Sequence, residues 1–359
     1  VTALSETAYR GAARADAEAV GRWLLAVAGM VFAMAVIGAI TRLTESGLSI
    51  VEWQLVTGVL PPLNEAQWLA EFEKYRQIPE YQQINRGMSL DEFKYIYFWE
   101  WFHRLWGRLI GVAYALPLAW FWLRGRIPQG YKAPLLGLLL LGGLQGFMGW
   151  FMVQSGLTER TDVSHYRLAM HLGLAFVLYA LLIALALSLF EDRRPGDRPA
   201  APRPLKLHAH AALGLLAATI VWGAFVAGTD AGLAASDFPT VNGVWIPAEA
   251  FEGDPAVYVE APVAIQWLHR ILATLTLLAV LSFWARTRRV EAGRLPWLAR
   301  GLAFAVLAQY ALGIATVETG VSIPVAAAHQ AGAMVLLALF VCTLYELRGP
   351  RGAVTAPAA

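Results

Sequence analysis

Glu100-Trp101-Phe102-His103-Arg104 and Gln266-Trp267-Leu268-His269-Arg270 are two copies of one block, and the fold follows from how much of the chain repeats with them. Upstream, Thr44-Glu45-Ser46-Gly47-Leu48-Ser49 with Glu52-Trp53 is matched by Thr229-Asp230-Ala231-Gly232-Leu233-Ala234 with Asp237-Phe238. Downstream, Gln145, Gly149 and Gln154-Ser155-Gly156-Leu157 are matched by Gln309, Gly313 and Glu318-Thr319-Gly320-Val321, and a histidine follows each of these, His171 and His329. Three ordered blocks carrying Trp, His, Arg, Gln and acidic residues are hard to obtain from the shared composition of apolar helices. The chain reads as an internal duplication.

Both copies lie in apolar sequence. Of 359 residues, 58% are hydrophobic and 15% charged, and mean hydropathy is +0.51, where a soluble domain has roughly 25% charged residues. A soluble enzyme of two compact domains is excluded, and a net charge of +2 gives no reason to expect a nucleic-acid partner. Since a membrane helix takes about 20 apolar residues, spans are expected at 23–42, 98–123, 133–154, 167–190, 207–228, 263–285, 297–318 and 324–346. The predicted fold is an all-α integral membrane protein of eight transmembrane helices in two pseudo-symmetric four-helix bundles. Because four is even, the duplication is parallel, about an axis along the membrane normal, and not inverted. The expected division is an N-terminal segment 1–22, a first bundle 23–190 with a long outer loop 43–97, a linker 191–206, a second bundle 207–346 and a tail 347–359. The linker carries the charged, proline-rich stretch EDRRPGDRPAAPRP at 191–204. No cleavable signal peptide is read in the first segment.

Charge sets the orientation. One loop set holds Arg10, Arg14, Arg22, Arg124, Arg126, Lys132, Arg193, Arg194, Arg198, Arg203, Lys206, Arg286, Arg288, Arg289, Arg294, Arg300, Arg348 and Arg351. The opposite set is acidic, and its loop from Asp230 to Pro262 has no Lys or Arg. Basic residues mark cytoplasmic loops, so both termini of this multi-pass protein are expected in the cytoplasm and the long first and third outer loops in the periplasm or its organellar equivalent. The expected location is the bacterial inner membrane.

Four histidines recur at repeated positions: His103 and His171 in the first half, His269 and His329 in the second, all near the outer ends of their spans. Ionisable residues inside a membrane are costly and mark function. A pair on facing helices suits axial ligation of a haem iron. Gly107, Ala175, Ala273 and Ala333 follow four residues later on the same helix faces, where a flat macrocycle would pass; helix packing favours the same small residues. His165, His208 and His210 have no such pattern and read as interfacial residues. Arg104 and Arg270, next to two of the candidate ligands, suit haem propionates through bidentate pairing, or snorkel to headgroups.

The halves differ at Glu100, three residues before His103, where the second half has Gln266. A carboxylate beside a haem can move protons; one at the outer end of a span can equally pair with Arg104. Ser89-Leu90-Asp91-Glu92 has the form of a capping box and predicts a helix that starts there and runs through His103. Trp68, Leu69, Phe72 and Tyr75 recur at helical spacing, as on a membrane-surface helix or a lid packed over the first site.

GAITRLTESGLSIVEW, EWFHRLWGRLIG, QGFMGWFMVQSGL, MHLGLA, QWLHR and AAHQAGA closely resemble the haem A synthases of cytochrome oxidase assembly, from about Arg22 to Arg348. The long first outer loop resembles the proteobacterial and mitochondrial branch. The resemblance implies an enzyme that oxidises the C8 methyl of haem O to a formyl group by successive hydroxylation and loss of water. Its first-half ligands fall on His103 and His171, its second-half ligands on His269 and His329, and its essential glutamate on Glu100. It further implies haem b in the second half and haem O, as substrate, in the first. One departure is that many bacterial members have an outer-loop cysteine pair, whereas this chain has only Cys342, in the last span. That single cysteine excludes an internal disulfide and a cysteine-ligated cluster.

Two other readings stand beside the synthase: a di-haem electron carrier of cytochrome b type, and a non-enzymatic haem carrier. The expected partners are haem O, the lipid bilayer, haem O synthase and oxidase assembly factors; a homo-oligomer is left open.

Overall fold

The computed structural model describes residues 2–54, 57–158, 160–190, 201–288 and 293–348, with side chains from residue 14 onward. Most of the expected linker, 191–200, and of the tail, 349–359, lies outside the described residues. Eleven α-helices and no strands are found among the described residues. They are α1 (Thr2–Leu43), α2 (Glu65–Tyr75), α3 (Pro79–Gln83), α4 (Leu90–Leu123), α5 (Lys132–Gln154), α6 (His165–Leu189), α7 (Arg203–Gly228), α8 (Val257–Glu260), α9 (Pro262–Thr287), α10 (Leu295–Glu318) and α11 (Ile323–Leu347).

Each of the eight expected apolar stretches lies almost entirely within one long helix. Among the described residues, seven helices are long and apolar enough to cross a membrane: the Arg14–Leu43 part of α1, and α5, α6, α7, α9, α10 and α11. The exception is α4, which carries Arg104, Arg108 and an unusual share of Trp and Tyr. It starts where the capping box predicts, with Ser89 Oγ accepting from the Glu92 N–H and Glu92 Oε2 accepting from the Ser89 N–H. The first helix begins well before Trp23, where the apolar run starts. Arg14 and Arg22 each pair with Glu18 one turn away, a spacing that supports a solvated helix.

Helix α1 packs against α4, α6 and α11, while α6 also packs against α5 and α7. The two parts of the chain are tied at two depths. Gln330 on α11 donates to the Ala35 carbonyl of α1 at 2.6 Å. At the loop-rich end, Arg42 grips Asp230 with both contacts near 3 Å and reaches Asp162 at 3.5 Å.

The apolar core is divided. A large cluster, including Leu24, Phe121, Leu135, Leu182, Phe283, Leu302 and Phe340, fills the end of the bundle where basic loops gather. A second cluster caps the opposite end and joins α2 to α4 through Trp68, Phe72, Tyr75, Phe93 and Tyr97. Phe72 and Tyr75 are buried, so α2 is packed onto α4. The four repeated histidines lie between these clusters.

Candidate functional site

Each of the four histidines packs its ring edge against a glycine of the adjoining helix. A methyl built on Gly38 would stand 3.1 Å from His103 Cε1, and on Gly149 3.0 Å from His171 Cε1. In the second half the distances are 3.1 Å from Gly223 to His269 and 3.0 Å from Gly313 to His329. Spaces this tight admit no Cβ without displacement, so the glycines let the ring edges approach the neighbouring backbone closely. Gly38 precedes Thr44 by the same interval at which Gly223 precedes Thr229, and Gly149 and Gly313 belong to the third matched block.

Polar contacts repeat as well. Gln145 Nε2 donates to the His171 carbonyl at 3.0 Å and lies 3.1 Å from His171 Nδ1. Gln309 Nε2 donates to the His329 carbonyl at 2.8 Å and lies 3.2 Å from Nδ1. His269 Nδ1 lies 3.1 Å from the Thr219 carbonyl. A carbonyl only accepts, so this contact puts the proton on Nδ1 and leaves the Nε2 lone pair for a metal. His103 Nδ1 is buried with no partner among the described residues. His103 and His171 lie within electrostatic reach of each other, as do His269 and His329.

The two arginines do the same work in each copy. Arg104 donates to the carbonyls of Ile50 (2.7 Å) and Glu52 (2.8 Å). Arg270 donates to those of Ala235 (3.3 Å), Asp237 (2.8 Å) and Thr240 (2.6 Å). Ile50 and Glu52 match Ala235 and Asp237 in the first repeated block. Neither guanidinium snorkels; both are spent largely on fastening the preceding loop to the histidine-bearing helix. Arg270 Nε is buried without a partner among the described residues.

Glu100 is 3% exposed. Its Oε2 accepts from Ser49 Oγ at 2.8 Å and the Ile50 N–H at 2.7 Å, and its Oε1 accepts from Arg104 at 2.6 Å. The pairing with Arg104 is therefore real. In the second half, Gln266 donates to the Ala235 carbonyl at 3.0 Å and the Gly232 carbonyl at 3.3 Å. A carboxylate that receives hydrogen bonds is thus replaced by an amide that gives them.

A family model described as "Cytochrome oxidase assembly protein" matches residues 21–341. The chain belongs to this family. It is 60% identical to the "Heme A synthase" of Rhodospirillum centenum over 98% of this chain and 94% of that protein. It is 46% identical to the "Heme A synthase" of Parvibaculum lavamentivorans over 93% and 95%. It is also 41% identical to "Heme A synthase COX15" of Homo sapiens over 93% and 84%. With seven apolar helices, this member of the cytochrome oxidase assembly family is a multi-pass membrane protein.

Of the remaining histidines, His208 and His210 bond nearby carbonyls, Ala279 and Lys206. His165 departs from its expected interfacial position. It is buried, its Cα and Cβ press on Gly228 of α7, and its ring stands against Phe225. The glycine of α7 admits it between segments far apart in sequence, a packing that the unmatched position of His165 in the repeat did not reveal.

Sequence reasoning also missed Glu80. It lies on α3, outside the membrane-spanning segments, is 4% exposed, and its Oε2 is buried without a partner among the described residues. Burial and then the charges of Glu100, Asp162 and Glu45 push its carboxyl up from 4.5 to about 8, against the pull of Arg42. A pKa raised in the folded state stabilises the fold below the unfolded value, and that contribution is lost as pH rises through about 8. Glu80→Gln is therefore expected to change thermal stability little at pH 5 and to raise it by more than about 2 kcal/mol at pH 9. Unfolding scans at both pH values check this, and an equal gain at both would refute it.

Proposed function

We propose that the chain is a haem A synthase, oxidising the C8 methyl of haem O to a formyl group and so supplying haem A for cytochrome oxidase. The observation that carries this reading is Glu100, a buried carboxylate beside the first histidine pair where the second half has only an amide. A di-haem electron carrier would have no evident use for that difference. The names of the relatives support the same activity.

In this reading α4 is the eighth span: 34 residues reach about 51 Å, enough to cross a bilayer. Residues 23–190 and 207–346 then form two four-helix halves, with His103 and His171 holding haem O and His269 and His329 holding haem b. The residues fit such groups. The glycine cradles fix the imidazole planes, His269 keeps its Nε2 lone pair free, and Arg270 Nε is an unused donor for a propionate, with Arg104 as its first-half counterpart. The haem b would supply a one-electron redox centre through which reducing equivalents leave. Glu100, oriented by Arg104, Ser49 and the Ile50 N–H, accepts a proton released at the methyl carbon. The loop fastened by Arg104, with α2 packed onto α4, keeps bulk water from this site. The basic loops support placing both termini in the cytoplasm and the protein in the bacterial inner membrane. Haem O synthase is the natural donor of substrate.

The test is conversion itself. Purified protein in lipid, given haem O and an electron acceptor, is expected to yield haem A by pigment extraction. Recovery of unchanged haem O under conditions in which a relative turns over would contradict the proposal.

A further inference from the structure

Beyond the histidines, the halves differ in how their second and third helices meet. On α5, Leu135, Leu138, Gly142, Gln145 and Gly149 share one helix face. Leu135 and Leu138 are buried, while Gln145 and Gly149 touch His171, so this face is turned inward. Gly142 lies on it and yet is exposed. A methyl built on Gly142, or on Gly146 one turn further, meets nothing within 4 Å, and neither does one on Gly111 of α4.

The repeat shows what could have filled that space. The positions matching Gly142, Gly146 and Gly111 hold Val306, Tyr310 and Leu277. Val306 is 3% exposed and Leu277 packs on the core. Tyr310 Oη lies 2.9 Å from Thr274 Oγ1, tying α10 to α9. Accordingly α9 and α10 are closely packed, whereas α4 and α5 approach each other at few positions.

The cleft in the first half adjoins the histidine pair. Gly111 lies about 12 Å along α4 from His103, and Gly142 about 10 Å along α5 from Gly149, both away from the loop-rich end. Near the histidine pair, His103 Nδ1 and Gln145 Oε1 are buried polar atoms without partners among the described residues. Along α4 and α5 the space at Gly111, Gly142 and Gly146 is unfilled and starts from the helix faces that carry the histidine contacts. Haem O differs from haem b by a long farnesyl-derived chain, and in the second half the matching space is taken by Val306, Tyr310 and Leu277.

We infer that the cleft between α4 and α5, opened by Gly111, Gly142 and Gly146 beside His103 and His171, holds the isoprenoid chain of haem O. It thereby supplies a structural reason why the first half takes haem O. The inference rests on the functional reading above. Filling the cleft with the second half's own side chains tests it: Gly142→Val, Gly146→Tyr and the double variant, in the full-length protein titrated separately with haem O and haem b. Haem b retained by the second half reports folding. The expected result is at least a tenfold weaker affinity for haem O with retained haem b unchanged. If the double variant does not fold, Gly142→Val is read alone, and Val306→Gly with Tyr310→Gly should let the second half accept haem O. Haem O binding like that of the unmodified protein in a folded Gly142→Val or double variant would overturn the cleft alone. Unmodified protein that binds no haem O would overturn the functional reading and the proposed occupant together.

Discussion

Replacing Glu100 by glutamine is expected to leave both haem sites filled and to slow methyl oxidation by about a hundredfold to ten-thousandfold, the usual contribution of a positioned proton acceptor. The second half shows why the site should survive: Gln266 occupies the matching position in a folded bundle. The exchange has a structural cost, because Arg104 loses a charged partner at 2.6 Å. Removing one member of a buried pair costs about 3–5 kcal/mol when the other charge is left uncompensated. The Ile50 and Glu52 carbonyls still bind Arg104, so the loss should fall below that range. Rate and haem content therefore have to be measured together, below the lowered unfolding temperature. Unchanged haem A production in a strain carrying Glu100→Gln would remove this carboxylate from the mechanism.

His269→Ala should have the second large effect, complete loss of the second-half haem and with it of turnover, while haem O still binds in the first half. His269 is the imidazole whose tautomer is set by a backbone carbonyl, with Gly223 on one edge and the Thr219 carbonyl at Nδ1. Added imidazole should enter the vacated space and restore part of the absorption. Spectra of purified His269→Ala with the full haem b signal would show that this ligand assignment is wrong. His103→Ala gives the mirror result, loss of haem O binding with haem b retained.

Much of this architecture is legible in the sequence because the repeat marks it. The helices coincide with the apolar stretches, the capping box at Ser89 starts α4, and the matched blocks return as matched contacts. Even the backbone repeats: Glu45 and Asp230, equivalent in the first block, both adopt left-handed φ, 52° and 50°. What stayed hidden has physical causes. Gly38 and Gly223 were lost among 32 glycines, since small residues are common wherever membrane helices pack. Arg104 and Arg270 looked free for propionates because a backbone carbonyl leaves no trace in sequence, and most of their donors turn out to bind loop carbonyls. Glu80 gives no signal of burial at all. The charged groups that act on it, Glu100, Asp162, Glu45 and Arg42, come from segments that meet only on folding. α4 falls short in hydropathy because it carries Arg104, Arg108 and several Trp and Tyr residues, whose large apolar rings count as weakly polar.

Pigment extraction measures the central claim most directly. Purified full-length protein is loaded with haem O without an electron acceptor, and its haems are then released and separated chromatographically. The account predicts two pigments in comparable amounts, haem b and haem O, with haem A replacing haem O once an acceptor is supplied. Recovery of haem b alone, with haem O present throughout loading, would contradict it.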